Sequence, residues 1–147
     1  MAVFNTYHYS ALGFRGKDLR KVAMICNKVL LELHEKFKFD FVVGTGSSGL
    51  TILTAMHLVA RKELPFALVY ARKPNDDSHG CMLEMLGTGR NMVPQSYLVI
   101  DDFVSSGDTI RTIEATIDEK SKAKCIGVLE YYSGFPDHNG EFGEHER

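Results

Sequence analysis

The run Leu98-Val99-Ile100-Asp101-Asp102-Phe103-Val104-Ser105-Ser106-Gly107-Asp108-Thr109 carries an apolar stretch into two adjacent carboxylates and then a hydroxyl-rich turn. Adjacent carboxylates can accept hydrogen bonds from a diol. The Ser and Thr hydroxyls and the backbone N–H groups of the turn can wrap a phosphate at the start of a helix. Together these groups suit a sugar that carries a phosphate. A purely structural reading has Ser106, Asp108 or Thr109 capping the helix, with Asp101 and Asp102 in solvent. Capping alone does not call for two acids and two serines in sequence.

A second segment, Gly44-Thr45-Gly46-Ser47-Ser48-Gly49, reads G-x-G-x-x-G between an apolar run and a helical pattern. Glycines let a backbone come close to a ligand or to itself, and a helix start offers N–H groups and a positive dipole end to an anion. The dinucleotide fingerprint also wants an acid at the end of the next strand. That strand ends instead in the basic pair Arg72-Lys73. A phosphate or pyrophosphate loop therefore fits better than a dinucleotide site, and a tight turn that needs glycines is the structural alternative. The Asp-Asp pair also resembles that of receiver domains, but there it follows the first strand and several strand–helix units come after it. The six histidines show no metal-ligand spacing with the cysteines.

The elements that must position these groups follow from periodicity. Leu19, Val22, Cys26, Val29, Leu30, Leu33 and Phe37 recur at helical spacing over 17–37. Short apolar runs predict strands at 39–43, 66–71, 97–100 and 124–131, with helices at 50–61 and 109–119. Strands alternating with helices imply an α/β fold: a single domain over 1–147, with a central, mostly parallel sheet flanked by helices. In such sheets ligands bind beyond the carboxyl ends of the strands, where both chemical segments fall.

The segment 73–95 is long, rich in Pro, Gly and Asp, and reads as a flexible lid. Its apolar residues Met82, Leu83, Met85 and Leu86 must cover the site, pair with a second subunit as in a homodimer, or pack on the core as one turn of helix or a hairpin arm. Tyr131 and Phe135 could stack on a base or belong to the core. The tail 137–147 reads as a frayed end.

Composition narrows the class. Of 147 residues, 44% are hydrophobic and 24% charged, which excludes disorder and coiled coil. A net charge of −2 disfavours general nucleic-acid binding. Apolar runs are too short for a membrane span, and no signal peptide is visible. Three widely spaced cysteines read as reduced thiols in a cytoplasmic protein.

The run LVIDDFVSSGDT resembles the phosphoribosyl pyrophosphate (PRPP) motif of type I phosphoribosyltransferases, and the order of the remaining segments is similar over about 39–131. The resemblance implies that Asp101 and Asp102 bind the ribose hydroxyls, and that Ser105, Ser106, Gly107, Asp108 and Thr109 hold the 5′-phosphate. Thr45, Gly46 and Ser47 would meet pyrophosphate, with Arg72 and Lys73 close by. Asp101, Asp102 and Lys73 would form the catalytic set. Mg²⁺ would reach the two aspartates indirectly, through PRPP and water. The N- and C-terminal segments would form a small hood for the base. Members that take 6-oxopurines carry Asp where this chain has Ser105. Arg72-Lys73-Pro74-Asn75-Asp76-Asp77-Ser78-His79-Gly80 is similar in part to the orotate pattern, with Asp76 in place of its loop Lys. That replacement keeps open a PRPP-binding regulator that does not turn its ligand over, beside the transferase. A Rossmann-type nucleotide binder is the third reading.

Overall fold

The computed structural model describes residues 2–5, 16–72, 83–86, 94–102, 107–119, 121–131 and 143–146. In chain order they form β1 (Ala2–Asn5), α1 (Gly16–Phe37), β2 (Phe41–Thr45), α2 (Gly46–Val59), β3 (Ala67–Ala71), β4 (Leu83–Leu86), β5 (Ser96–Asp101), α3 (Asp108–Asp118), β6 (Lys124–Glu130) and β7 (Gly143–Glu146). The strands pair in the order β4-β3-β2-β5-β6-β1-β7. Neighbours among β3, β2, β5, β6 and β1 are parallel, and β4 and β7 add an antiparallel strand at each edge.

The inner strands are apolar on both sides because helices cover both faces of the sheet. Along β5, Leu98 and Ile100 join the core formed with α1 and α2, whereas Tyr97 and Val99 join the core formed with α3. Val22, Cys26, Val29, Leu30 and Leu33 of α1 pack with Ile52, Leu53 and Met56 of α2 on the first face. Ile110, Ile113 and Ile117 of α3 serve the second. Asn27 fastens the two-helix layer, its Nδ2 donating to the Met56 carbonyl at 3.0 Å. Among the described residues no helix is long and apolar enough to cross a membrane.

Asp40 sets the opposite end of the sheet. Its Oδ2 accepts the N–H groups of Gln95 at 2.6 Å and Ser96 at 3.1 Å, which pins the start of β5 beside β2. The two strands that carry the chemical segments are thus held in register from the far end. From β2 the chain steps through α2 to β3 on one side. From β5 it steps through α3 to β6 on the other. The direction of winding reverses between β2 and β5, so a crevice opens at their carboxyl ends.

Several expectations are corrected. The first core strand is 41–45 rather than 39–43, because Phe39 turns into an aromatic cluster with His34 and Phe66. Its helix starts at Gly46, not Leu50. Within 73–95, residues 83–86 form a strand paired from Leu68↔Leu86 to Ala71↔Leu83, so this part is the hairpin arm rather than a free lid. Residues 73–82 and 87–93 lie outside the described residues. The tail is not frayed throughout, since Gly143–Glu146 pairs with β1. β1 and β7 extend the sheet and α1 packs in the main helical layer, while the remainder of the two end segments expected to form a hood, 6–15 and 132–142, lies outside the described residues.

Candidate active site at the sheet switch point

The turn after β2 is held by its side chains and by close backbone packing. Thr45 is buried, and its Oγ1 donates to the Ala71 carbonyl at 2.6 Å, joining the ends of β2 and β3. Its backbone is extended at the N-cap of α2, and its side chain makes no cap hydrogen bond to that helix. Gly46 adopts φ 69°, a left-handed conformation natural to glycine. Gly44 and Gly49 serve a different purpose. A Cβ on Gly49 would stand 2.8 Å from the Gly44 carbonyl carbon, so these two glycines let α2 lie against β2. Of the three glycines in the motif, Gly46 is the one whose positive φ shapes the turn. Ser47 is exposed beside it. Arg72 directly follows Ala71, the register partner of Thr45, and so stands next to this turn. Lys73 lies outside the described residues.

The other wall is the end of β5. Asp101 is 8% exposed, and its Oδ1 accepts the Asp102 N–H at 2.9 Å. Asp102 is half-buried. Burial, then the hydrogen bond and charge of Asp102, with Glu130 adding to them, push the Asp101 carboxyl up to about 7. Glu130 is its register partner on β6 and is 5% exposed. This third carboxylate escaped the sequence reading, although an acid closing the apolar run Val128-Leu129-Glu130 was the available signal.

At α3 the N-cap is Gly107, with φ 82° and ψ 5°. Being glycine, it has no side chain with which to cap the first turn. Neither Asp108 nor Thr109 is the cap. Asp108 instead pairs with Arg111, and Thr109 is exposed. Ser105 and Ser106 lie outside the described residues. The starts of two helices, with N-caps Thr45 and Gly107, thus lie at the same end of the sheet as the acid pair, and helix starts of this kind can attract anionic groups.

Tyr131 links the walls from below. Its N–H donates to the Asp101 carbonyl at 3.0 Å, and its hydroxyl donates to the Ser48 carbonyl at 3.0 Å. At 2% exposure its ring is core, which decides between the two readings of this residue. Burial pushes the phenol well above its ordinary range. Phe135 lies outside the described residues.

Among the described residues no group of three or more His, Cys, Asp or Glu side chains could hold a metal ion. Asp101 and Asp102 fit the manner in which Mg²⁺ is bound through few carboxylates, waters and substrate phosphates.

The model of the phosphoribosyl transferase domain family matches residues 17–130, and the chain belongs to that family. Among solved structures it is similar to the orotate phosphoribosyltransferase of Francisella tularensis, with TM-score 0.59 and 19% identity over 80% of this chain and 54% of that one. A phosphoribosyltransferase from Corynebacterium diphtheriae gives 0.55 and 18%, over 82% of this chain and 66% of the other. The adenine phosphoribosyltransferase of Saccharomyces cerevisiae gives 0.54 and 20%, over 80% and 71%. These likenesses show the fold. The chain spans little more than half the length of the Francisella enzyme. No curated protein matches the sequence.

Proposed function

We propose that the protein binds PRPP at the switch-point crevice and transfers its 5-phosphoribosyl group to a nitrogenous base, releasing pyrophosphate. The observation that carries this reading is the Asp101-Asp102 pair, buried at Asp101 and half-buried at Asp102, at the end of β5 beside the start of α2, whose N-cap Thr45 gives its hydroxyl to Ala71, and before the start of α3, whose N-cap is Gly107. The acid pair accepts the ribose 2′- and 3′-hydroxyls. The turn through Ser105, Ser106, Gly107, Asp108 and Thr109 takes the 5′-phosphate. Backbone N–H groups at Thr45, Gly46 and Ser47 receive the pyrophosphate, with Arg72 and Lys73 adding positive charge. The Thr45 hydroxyl already donates to Ala71, so its side chain holds the turn rather than the ligand.

Transfer breaks the bond from C1′ to pyrophosphate and forms one from C1′ to a ring nitrogen of the base. The sugar passes through an oxocarbenium-like state, so the protein contributes position and electrostatics, with no nucleophile of its own. Mg²⁺, when bound with PRPP, neutralises charge on the departing pyrophosphate. An orotate-like or other nucleobase is the acceptor, and Ser105 in the phosphate turn speaks against a 6-oxopurine. A homodimer in the cytoplasm belongs to the same reading, and the free thiols of Cys26 and Cys125 accord with that compartment.

A second reading, a PRPP-binding regulator without turnover, is favoured by Asp76 at the place of a loop Lys. Calorimetric titration with PRPP·Mg²⁺, followed by a pyrophosphate-release screen over nucleobases, tests both. Binding with release supports the transferase, binding without release supports the regulator, and no binding overturns both.

A further inference from the structure

We propose that Tyr131 is a positioning residue that fixes the separation between the acid pair and the α2 turn, so that one ligand can span them. This builds on the PRPP reading above. Tyr131 grips both walls of the crevice with different groups. Its backbone N–H holds the Asp101 carbonyl at 3.0 Å, beside the carboxylates at the end of β5. Its hydroxyl reaches the carbonyl of Ser48 at 3.0 Å, inside the first turn of α2 and one residue beyond Ser47.

A helical carbonyl has a second lone pair beyond the one used along the helix, and Tyr131 takes it. The first turn of α2 is thereby tied to a ring that has no freedom to move, because the side chain is 2% exposed and packed among Leu98, Ile100 and the residues of α1 and α2. On the opposite side, Thr45 ties the same turn to β3 through Ala71. The turn is thus tied towards both β3 and β6.

Such a tether matters most for a ligand that must engage both walls at once. Pyrophosphate alone needs only the α2 turn, and ribose 5-phosphate alone needs only the acid pair and the α3 start. PRPP joins the two, and its advantage over the separate pieces depends on walls already set at the right distance. Loss of the hydroxyl therefore weakens the joined ligand more than either fragment.

The test is calorimetric titration of wild type and Tyr131→Phe with PRPP, pyrophosphate and ribose 5-phosphate, each with Mg²⁺, below the lower of the two melting temperatures. Tyr131→Phe keeps the ring, and Tyr131→Met takes its place if the Phe variant does not fold. The expected result is a loss of about five- to tenfold in PRPP affinity, with each fragment changed by about twofold or less. Unchanged PRPP affinity would overturn the role of Tyr131 while leaving the PRPP reading intact. Fragments weakened as much as PRPP would also overturn it, by showing general damage to the site. A wild type that binds the fragments but not PRPP overturns the PRPP reading and this inference with it.

Discussion

Gly49 lies so close to Gly44 that a Cβ on it would come within 2.8 Å of the Gly44 carbonyl carbon. The neighbour is backbone, so no side chain can swing away. Gly49→Ala should cost about 1–3 kcal/mol of stability, read as a drop in midpoint on chemical denaturation. The same change should weaken pyrophosphate binding, because α2 must back away from β2 and carry its first turn with it. An unaltered midpoint would mean that α2 is not packed where the Gly44–Gly49 contact holds it.

Gly107 poses a different problem. Its φ of 82° is left-handed, and the nearest obstacle to a Cβ is the flexible Arg111 side chain at 3.3 Å. Gly107→Ala should therefore cost about 1–2 kcal/mol through backbone conformation alone. Its larger effect should fall on ribose 5-phosphate, whose phosphate meets the start of α3. Titration with ribose 5-phosphate and pyrophosphate separates the two ends of the site. Equal loss of both would contradict the division of labour between α3 and α2.

The buried acid makes stability and binding run in opposite directions with pH. Asp101 has its carboxyl raised to about 7 in the folded chain, against 3.8 for an ordinary aspartate. The folded state holds the proton more tightly, so this stabilisation is complete below the ordinary value and is lost as pH rises through about 7. Asp101→Asn keeps an acceptor for the Asp102 N–H and should flatten that dependence, gaining about 1–3 kcal/mol on the alkaline side. PRPP affinity in the wild type should instead rise over the same interval, because ionised carboxylates are the better acceptors for ribose hydroxyls. Denaturation midpoints and calorimetric affinities across the interval check both signs.

The antiparallel arm gives a further expectation. Leu83–Leu86 pairs with β3 over its whole length at the sheet edge, so those of its amides that face β3 should exchange slowly in the ligand-free protein. Exchange as fast as that of an unstructured peptide would restore the free lid.

How much of this was legible beforehand differs by element. The alternation of apolar runs and helical spacing was enough for the parallel core, because strands buried on both faces and helices such as α1 leave strong patterns. β1 and β7 left no such pattern. Each is four residues long at or near the sheet edge, and β7, Gly-Glu-His-Glu, is polar throughout. Its pairing comes from backbone geometry that side-chain pattern does not encode. In the site, Asp101, Asp102 and the glycine turn were visible because their chemistry is local in sequence. Glu130 and the Tyr131 tether were not, because they arise from strand register and from a hydrogen bond spanning distant residues. The roles of Gly44 and Gly49 were also hidden, since a glycine looks alike whether a ligand or another backbone approaches it.

The measurement that bears most directly on the central claim compares PRPP·Mg²⁺ with pyrophosphate·Mg²⁺ in wild type and in the Asp101→Asn, Asp102→Asn double variant, at a pH well above the Asp101 value of about 7. If the acid pair holds the ribose, the double variant should lose about 100-fold in PRPP affinity and keep pyrophosphate affinity within about twofold. Undiminished PRPP binding in the double variant, or equal loss of both ligands, would contradict the assignment of these carboxylates to the sugar.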